Sequence, residues 1–205
     1  MKKSIFNEGQ KYTFSDYFNM PYATQEIVEA LGYEFSTTAL NLPRKSDFDS
    51  AIIARLNALY YAIIPKINFN SELAKREFLI APLLLELARL ADMKIDVEYP
   101  LYCNEKLAGS LDYLLTAKQD LIVIEAKKKD LDSGFNQLAA ELIALDYCED
   151  NTEITMLYGA ITLGEIWKFA TLERKTKLLC KDINSYVIPT HTDEVFAILM
   201  GIMQS

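Results

Sequence analysis

Residues 109–129 read GSLDYLLTAKQDLIVIEAKKK, and this stretch decides the fold. It contains two apolar runs separated by the short polar segment 117–120, which is the pattern of a β-hairpin. The second run, residues 121–124, is apolar and rich in β-branched side chains, so it predicts a buried strand. The second strand of the hairpin is therefore expected to be buried.

Three charged residues stand at one end of this hairpin. Glu125 and Lys127 follow the buried run directly, and because side chains alternate along a strand, they share one face while Ala126 points to the other. Asp112 lies thirteen residues before Glu125 on the first strand, so the hairpin is expected to bring it beside Glu125. Two carboxylates and a lysine at the end of a buried hairpin are costly unless they pair or hold a metal ion.

The pattern of Asp112 followed by Glu125-x-Lys127 resembles the PD-(D/E)xK nuclease superfamily, which has the restriction-endonuclease-like fold. It is most similar to the N-terminal nuclease domain of type I restriction enzyme motor subunits. In that subfamily a glutamine on the next helix opens a Q-x-x-x-Y pattern. Here Gln137 follows Glu125 by twelve residues, and Glu141 stands where the tyrosine would be. The resemblance covers about residues 71–165.

The resemblance implies an α/β fold whose core runs helix, three-stranded meander, helix, strand. An N-terminal helical extension, residues 1–70, is expected to pack on a nuclease-like domain formed by residues 71–205. The implied function is that of a metal-dependent, endonuclease-like phosphodiesterase. Its substrate would be nucleic acid, with DNA as the first choice, and its role restriction, defence or repair.

The resemblance also assigns roles within the site. Asp112, Glu125 and the Ala126 carbonyl would hold Mg²⁺ or Mn²⁺, because hard carboxylate oxygens suit these ions. Lys127 would contact the scissile phosphate and orient or deprotonate the attacking water. Gln137 would hydrogen-bond Lys127 or the phosphate.

The family also implies a glutamate on the preceding helix, predicted here from residue 71 onward with a kink at Pro82. Glu72 is the first candidate for this role and Glu77 the second. The alternative for Glu72 is a surface pair with Arg76, four residues later, worth only ~0.2–0.5 kcal/mol.

Composition limits the kinds of partner. The 205 residues carry 21 basic and 29 acidic side chains, a formal charge of −8, and 51% are hydrophobic, which supports one sizeable core. An acidic chain is not a general nucleic-acid binder, because such binding rests on phosphate neutralisation. Nucleic acid would have to meet a local basic patch, for which Lys127, Lys128, Lys129 and either Lys75 or Arg76 are the candidates. Otherwise a protein partner would supply the affinity, and a homodimer is also considered.

Cysteine and histidine usage excludes several other classes of site. Cys103, Cys148 and Cys180 are far apart with no C-x-x-C spacing, so reduced thiols in a cytoplasmic protein are expected. His191 is the single histidine of the sequence, which excludes H-E-x-x-H zinc sites, and it is expected on the surface near a helix start. No apolar run is long enough to span a membrane, so no membrane partner is expected.

Two other interpretations of the motif stay open at this stage. The chain can be a non-catalytic member of the same fold that serves binding or assembly, which the net charge of −8 favours. Alternatively, it can be an unrelated α/β interaction domain in which Glu125 and Lys127 form a surface ion pair.

Overall fold

The computed structural model describes residues 5–117, 121–127 and 130–204. The helices in these ranges are α1 (Phe14–Phe18), α2 (Thr24–Ala30), α3 (Ser50–Ile63), α4 (Glu72–Lys75), α5 (Ala81–Leu90), α6 (Leu131–Cys148) and α7 (Thr192–Met203), with a π-helical turn (Arg76–Ile80) between α4 and α5. The strands are β1 (Glu34–Thr38), β2 (Lys94–Asn104), β3 (Leu107–Thr116), β4 (Leu121–Ala126), β5 (Met156–Thr162), β6 (Ile166–Glu173), β7 (Leu178–Asp182) and β8 (Tyr186–Val187). The predicted α/β class is confirmed. No helix of the described ranges has the length and apolar character needed to cross a membrane.

The strands join one mixed sheet in the order β1-β7-β6-β5-β4-β3-β2, and β8 pairs with β6 off this path. Strands β2, β3 and β4 form an antiparallel meander, whereas β4 and β5 run parallel. Helix α5 precedes the meander and α6 connects β4 to β5, so the order helix, three strands, helix, strand is the one that the sequence predicted. Residues 118–120 of the predicted turn at 117–120 lie outside the described residues.

Helix α6 is buried on nearly all sides because it lies between two layers. One side packs on β4 and β5, and the other is covered by α1 and α2. The helix begins at Asp130, whose side chain accepts a hydrogen bond from Ser133 N (3.0 Å) and whose φ of 67° turns the chain out of β4. Gly134 allows close packing here, since a Cβ at this position would lie 2.4 Å from Ile161 Cδ1. The N-terminal half of α6 is thereby pressed against the ends of β4 and β5.

The opposite face of the sheet is covered by α3, α5 and α7. Their buried residues, among them Leu56, Leu83 and Phe196, pack on Ile122 and Ile124 of β4. Pro82 lies in the first turn of α5 and has no backbone N–H to donate to the π-helical turn before it. The sequence predicted a kink at this proline, and the structure has a π-helical turn immediately before α5.

The first 70 residues contribute to the sheet as well as to the helical layers. Strand β1 pairs in parallel with β7, and α3 is part of the core beneath the sheet. Phe14 of α1 packs against Gly109 of β3, where an added Cβ would lie 2.6 Å from the Phe14 ring. Besides the expected helices, this segment therefore supplies an edge strand.

The cysteines depart from the expectation of reduced thiols. Cys103 at the end of β2 and Cys148 at the end of α6 form a disulfide, with their Cα atoms 5.8 Å apart. Their separation of 45 residues in the chain hides this proximity, which arises because α6 passes back over the meander. Cys180 is a free, half-buried thiol, and His191 precedes α7 as expected, half-buried, with its Nδ1 accepting a hydrogen bond from Val187 N (2.9 Å).

Candidate active site

The hairpin aligns Asp112 with Glu125 as the sequence predicted. Tyr113 of β3 is the partner of Ile124 of β4, and continuing this register by one residue places Asp112 opposite Glu125. Residues directly opposite one another in an antiparallel pair project from the same face. The negative charge of Asp112 accordingly contributes to a raised pKa of Glu125. Both carboxylates lie at the end of β4, on the side covered by α6.

Glu125 is one of the most deeply buried charged residues of the described chain, with 1% of its surface exposed. Its Oε1 contacts Lys127 Nζ in an ion pair. Burial, and then the charge of Asp112, raise the pKa of Glu125 to about 8, although Lys127 acts in the opposite direction. Burial therefore disfavours the negative charge of this carboxyl group, whereas the contact with Lys127 favours it.

Lys127 lies immediately after β4, where its backbone N–H donates to Thr162 O (2.9 Å). Its side chain is 14% exposed and its ammonium group lies 5.6 Å from the centroid of the Phe18 ring. Burial alone lowers the pKa of Lys127, but the ion pair with Glu125 more than offsets this, so the pKa is raised. The lysine is thus a cation at neutral pH.

Helix α6 brings Gln137 and Glu141 to the same place, because residues four apart lie on one face of a helix. Gln137 Nε2 donates to Glu141 Oε1 (2.9 Å), so the glutamine supports Glu141. The resemblance had suggested Lys127 or the phosphate as its partner. Glu141 is completely buried, and burial together with the charge of Glu125 raises its pKa well above the usual range.

This group of residues has more acceptors than donors. With both carboxyls ionised, Glu125 Oε2 and Glu141 Oε2 have no hydrogen-bond donor among the described residues, and neither does Gln137 Oε1. Burial is the largest cause of the raised pKa of both carboxyls, and a proton held by one of them lets the two share a hydrogen bond. Buried polar groups are normally satisfied, so oxygens left in this state call for an explanation.

Helix α4 places Glu72 at the edge of the site. Ser71 Oγ accepts a hydrogen bond from Ala74 N (3.1 Å), which fixes the start of the helix one residue before Glu72. Glu72 is half-buried and its charge is felt by Lys127, whereas Glu77 is exposed. Of the two glutamates considered from the sequence, Glu72 is therefore the one that faces the site.

Arg76 enters the site from the π-helical turn. Its Nη1 contacts Glu98 Oε1 (3.1 Å) and Asp112 Oδ1 (3.4 Å), and its guanidinium carbon lies 5.1 Å from the centroid of the Tyr113 ring. Glu98 on β2 has a φ of 52°, an uncommon conformation for a non-glycine residue inside a strand. Asp112 is thus contacted by a cation, just as Glu125 is contacted by Lys127.

Sequence reasoning missed three members of this group: Glu141, Glu98 and the role of Arg76. Glu141 was noted only as a departure from a tyrosine, although its spacing of four from Gln137 was the signal that it faces inward. Glu98 and Arg76 come from different elements, and nothing local in the sequence indicates that they meet at Asp112. Lys128 and Lys129 lie outside the described residues.

The donor set suits a hard divalent cation in its chemistry. Asp112 and Glu125 supply carboxylate oxygens on one face of adjacent strands, and Ala126 follows directly in the backbone of β4. Carboxylate and carbonyl oxygens are the ligands that Mg²⁺ uses in proteins. Among the residues that the structure describes, however, no three His, Cys, Asp or Glu side chains converge as a group that could hold a metal ion. Arg76 and Lys127 neutralise Asp112 and Glu125 instead.

Comparison of the whole chain with models of known protein families and with curated protein sequences finds no match.

Proposed function

We propose that this protein is a metal-dependent phosphodiesterase of the endonuclease type, acting on nucleic acid, with DNA as its substrate. The observation that carries the proposal is the placement of Asp112 opposite Glu125, with Lys127 in contact with Glu125 and a buried Glu125 oxygen left without a donor. A buried carboxylate pair of this kind is stabilised when a divalent cation replaces the missing donors. The restriction-endonuclease-like core, with a role in restriction, defence or repair, is part of the same proposal.

The residues of the chain divide the work as follows. Asp112, Glu125 and the Ala126 carbonyl would hold Mg²⁺ or Mn²⁺, which when bound lowers the pKa of a water molecule and neutralises charge on the phosphate. Lys127, once its carboxylate partner is engaged elsewhere, contacts the scissile phosphate and orients the attacking water. Glu141 and Gln137 position Glu125 from behind, and Glu72 lies close enough to Lys127 to hold its ammonium group at the site.

A second candidate function is that of a catalytically inactive module for binding or assembly. The local charge favours it, because Glu72, Glu98, Asp112, Glu125 and Glu141 surround the cations Arg76 and Lys127. A phosphate backbone approaches such a site only when a divalent cation compensates the acidic groups. The net charge of −8 points in the same direction, and a protein partner that supplies DNA affinity would reconcile it with the nuclease.

For the cellular location, the proposed function and the disulfide point in different directions. A nuclease acting on DNA in restriction or repair works in the cytoplasm, which is the location we propose. The Cys103–Cys148 disulfide is the observation that favours an oxidising compartment.

The test compares wild type with Asp112→Asn and Lys127→Ala in two measurements: cleavage of DNA and RNA substrates with Mg²⁺ or Mn²⁺, and calorimetric Mn²⁺ binding. Asp112→Asn is expected to lose both cleavage and Mn²⁺ binding, because a site with few protein ligands cannot spare one. Lys127→Ala is expected to lose cleavage by about 10²–10⁴-fold, the range for a positioned proton-transfer group, while retaining Mn²⁺. It should bind the ion at least as tightly, since a neighbouring positive charge is removed.

Lys181→Ala is the matched control for the lysine. Lys181 is 15% exposed, is paired with Asp132 (2.7 Å), and lies 4.7 Å from the Phe135 ring, so it resembles Lys127 in burial and contacts but lies outside the site. Cleavage by Lys127→Ala at the wild-type rate would remove the lysine from the mechanism. An unfolded Lys127→Ala beside a folded Lys181→Ala would support a structural ion pair, and Mn²⁺ binding without cleavage in the wild type would support the inactive module.

A further inference from the structure

Arg76 contacts two carboxylates whose side chains differ greatly in solvent exposure. Its side chain is 13% exposed and touches Asp112, which is 16% exposed, at 3.4 Å. The other carboxylate, Glu98, is 68% exposed and lies at 3.1 Å. Charge-assisted N–H···O bonds usually measure about 2.7–2.9 Å, so neither contact has the length of a strong guanidinium–carboxylate bond. Arg76 is therefore held near Asp112 without being locked to it.

The backbone that carries Arg76 is unusual as well. Arg76 opens the π-helical turn Arg76–Ile80, and such turns within α-helices occur frequently at functional sites. The wider turn directs Arg76 toward the hairpin, while Leu79 and Ile80 in the same turn are fully buried in the core. The base of the side chain is consequently fixed, while its guanidinium group lies at the border between the site and solvent.

The charges at the site form two pairs. Asp112 is paired with Arg76, and Glu125 with Lys127. One divalent cation carries the same positive charge as the two side-chain cations together. If it took their place between Asp112 and Glu125, both Arg76 and Lys127 would be left without their carboxylate partners in the site, next to the position of the phosphate.

We propose that Arg76 is a second phosphate-contacting residue of this site, which stands in for the metal ion at Asp112 and transfers to the substrate phosphate when the ion binds. The inference rests on the proposed phosphodiesterase function. A guanidinium group suits this role because its planar fork matches two phosphate oxygens at once. Tyr113, on whose ring the guanidinium packs, keeps the side chain at the site during the exchange.

The exchange makes metal and substrate binding cooperative. In the absence of substrate, the metal ion must displace two cations from Asp112 and Glu125, which leaves Arg76 beside Glu98 and Lys127 within the field of Glu72. A bound phosphodiester supplies a further anionic partner and thereby lowers the cost of displacement. By thermodynamic linkage, the metal ion must tighten phosphodiester binding by the same factor.

The experiment measures Mn²⁺ affinity by calorimetry with and without a short phosphorothioate oligodeoxynucleotide, which keeps the backbone charge but resists cleavage. A methylphosphonate oligodeoxynucleotide of the same sequence, which lacks that charge, serves as the ligand control. For wild type, the phosphorothioate should tighten Mn²⁺ binding by about five-fold or more, the lower end of ordinary coupling, and the methylphosphonate should not.

Arg76→Gln is the decisive variant. It should bind Mn²⁺ several-fold more tightly than wild type without oligonucleotide, because a competing cation is gone, and it should lose most of the coupling. Arg76→Lys, which keeps the charge but lacks the fork, should bind Mn²⁺ like wild type and show reduced coupling. Arg89→Gln is the control, since Arg89 is 66% exposed and paired with Glu86 on α5.

The outcomes separate the two proposals. Wild type that binds Mn²⁺ and cleaves DNA, beside a folded Arg76→Gln with unchanged Mn²⁺ affinity and coupling, overturns the role of Arg76 and leaves the nuclease intact. Wild type that neither binds Mn²⁺ nor cleaves any substrate overturns both. If Arg76→Gln does not fold, wild-type coupling in Arg76→Lys overturns the inference.

Discussion

Helix α6 is bordered by two buried polar clusters that differ in how completely their hydrogen bonds are satisfied. At the C-terminal end, Arg174 Nε donates to Asp146 Oδ1 (2.7 Å), and the Tyr33 hydroxyl donates to Asp146 Oδ2 (2.6 Å). The same guanidinium donates to the carbonyls of Asn151 (2.6 Å) and Glu149 (2.6 Å). Every carboxylate oxygen in this cluster has a donor, and the guanidinium caps the end of the helix.

In the cluster at the N-terminal half of α6, several acceptor oxygens have no hydrogen-bond donor among the described residues. Gln137 is the side-chain donor that reaches Glu141, and oxygens of Glu125, Glu141 and Gln137 are left without a donor among the described residues. Both clusters contain buried acids, so burial of charge does not distinguish them. The difference teaches that two clusters with buried acids beside one helix can differ in whether each acid oxygen finds a donor, and oxygens that do not find one call for an explanation.

The largest effect on stability is expected for Arg174→Ala. The change leaves Asp146, whose side chain is 9% exposed, without its cation and removes the donors for the carbonyls at the end of α6. Loss of one partner from a buried pair costs about 3–5 kcal/mol, so the free energy of unfolding measured in urea should fall by that amount. Arg89→Ala, which removes an exposed pair on α5, should change it by less than about 1 kcal/mol. If the two variants are equally stable, the Arg174 cluster does not hold the helix end.

In the cluster of Glu125, Gln137 and Glu141, a substitution is expected to increase stability. Glu141→Gln keeps an oxygen to accept from Gln137 and adds an N–H₂ group that can donate to Glu125. Satisfying a buried acceptor is worth about 1–3 kcal/mol, so this variant should be more stable than wild type near pH 8. Glu141→Ala, which removes the acid without adding a donor, separates this effect from simple loss of charge. A Glu141→Gln protein less stable than wild type at that pH would contradict the contrast between the clusters.

The smallest effect is the change in the free energy of unfolding for each unit of pH, measured without metal ions. The pKa of Glu125 is raised from 4.5 to about 8, and that of Glu141 is raised as well. Between these values the folded chain binds more protons than the unfolded chain, so the free energy of unfolding falls as the pH rises toward 8. The fall should be about 1 kcal/mol per pH unit, as calorimetric melting temperatures would show. Arg174→Ala should keep the slope and Glu141→Gln should reduce it, because one of the two titrating acids is removed. A flat wild-type profile would show that the pKa values of these acids are not raised in the folded protein.

Local pattern was sufficient to predict the framework of the site. The spacing of Asp112, Glu125 and Lys127 predicted a hairpin that places both carboxylates on one face, and the observed register is consistent with it. Helix α3 follows the N-cap Asp49, whose side chain accepts a hydrogen bond from Ala51 N (2.9 Å). These features depend on neighbours close in sequence, where strand alternation and capping act directly.

Features that depend on distant parts of the chain could not be predicted in this way. The approach of Arg76 to Asp112 requires the π-helical turn, and the Cys103–Cys148 disulfide requires α6 to pass back over the meander. Glu141 could have been placed by its spacing from Gln137, but its contact with Glu125 depends on how closely α6 packs on β4, which Gly134 permits. Packing distances of this kind are set by the whole core and leave no local pattern.

The parallel pairing of β1 with β7 has a consequence for biosynthesis. Glu34 is the partner of Leu178, so about 140 residues separate the two strands. At a translation rate of about 5–20 residues per second, β1 leaves the ribosome about 7–30 s before its partner. Throughout that interval β1 is an unpaired edge that other chains and chaperones can reach. Strand β1 is thus synthesised early but pairs with β7 late. The rate of translation sets the time during which β1 has no partner strand.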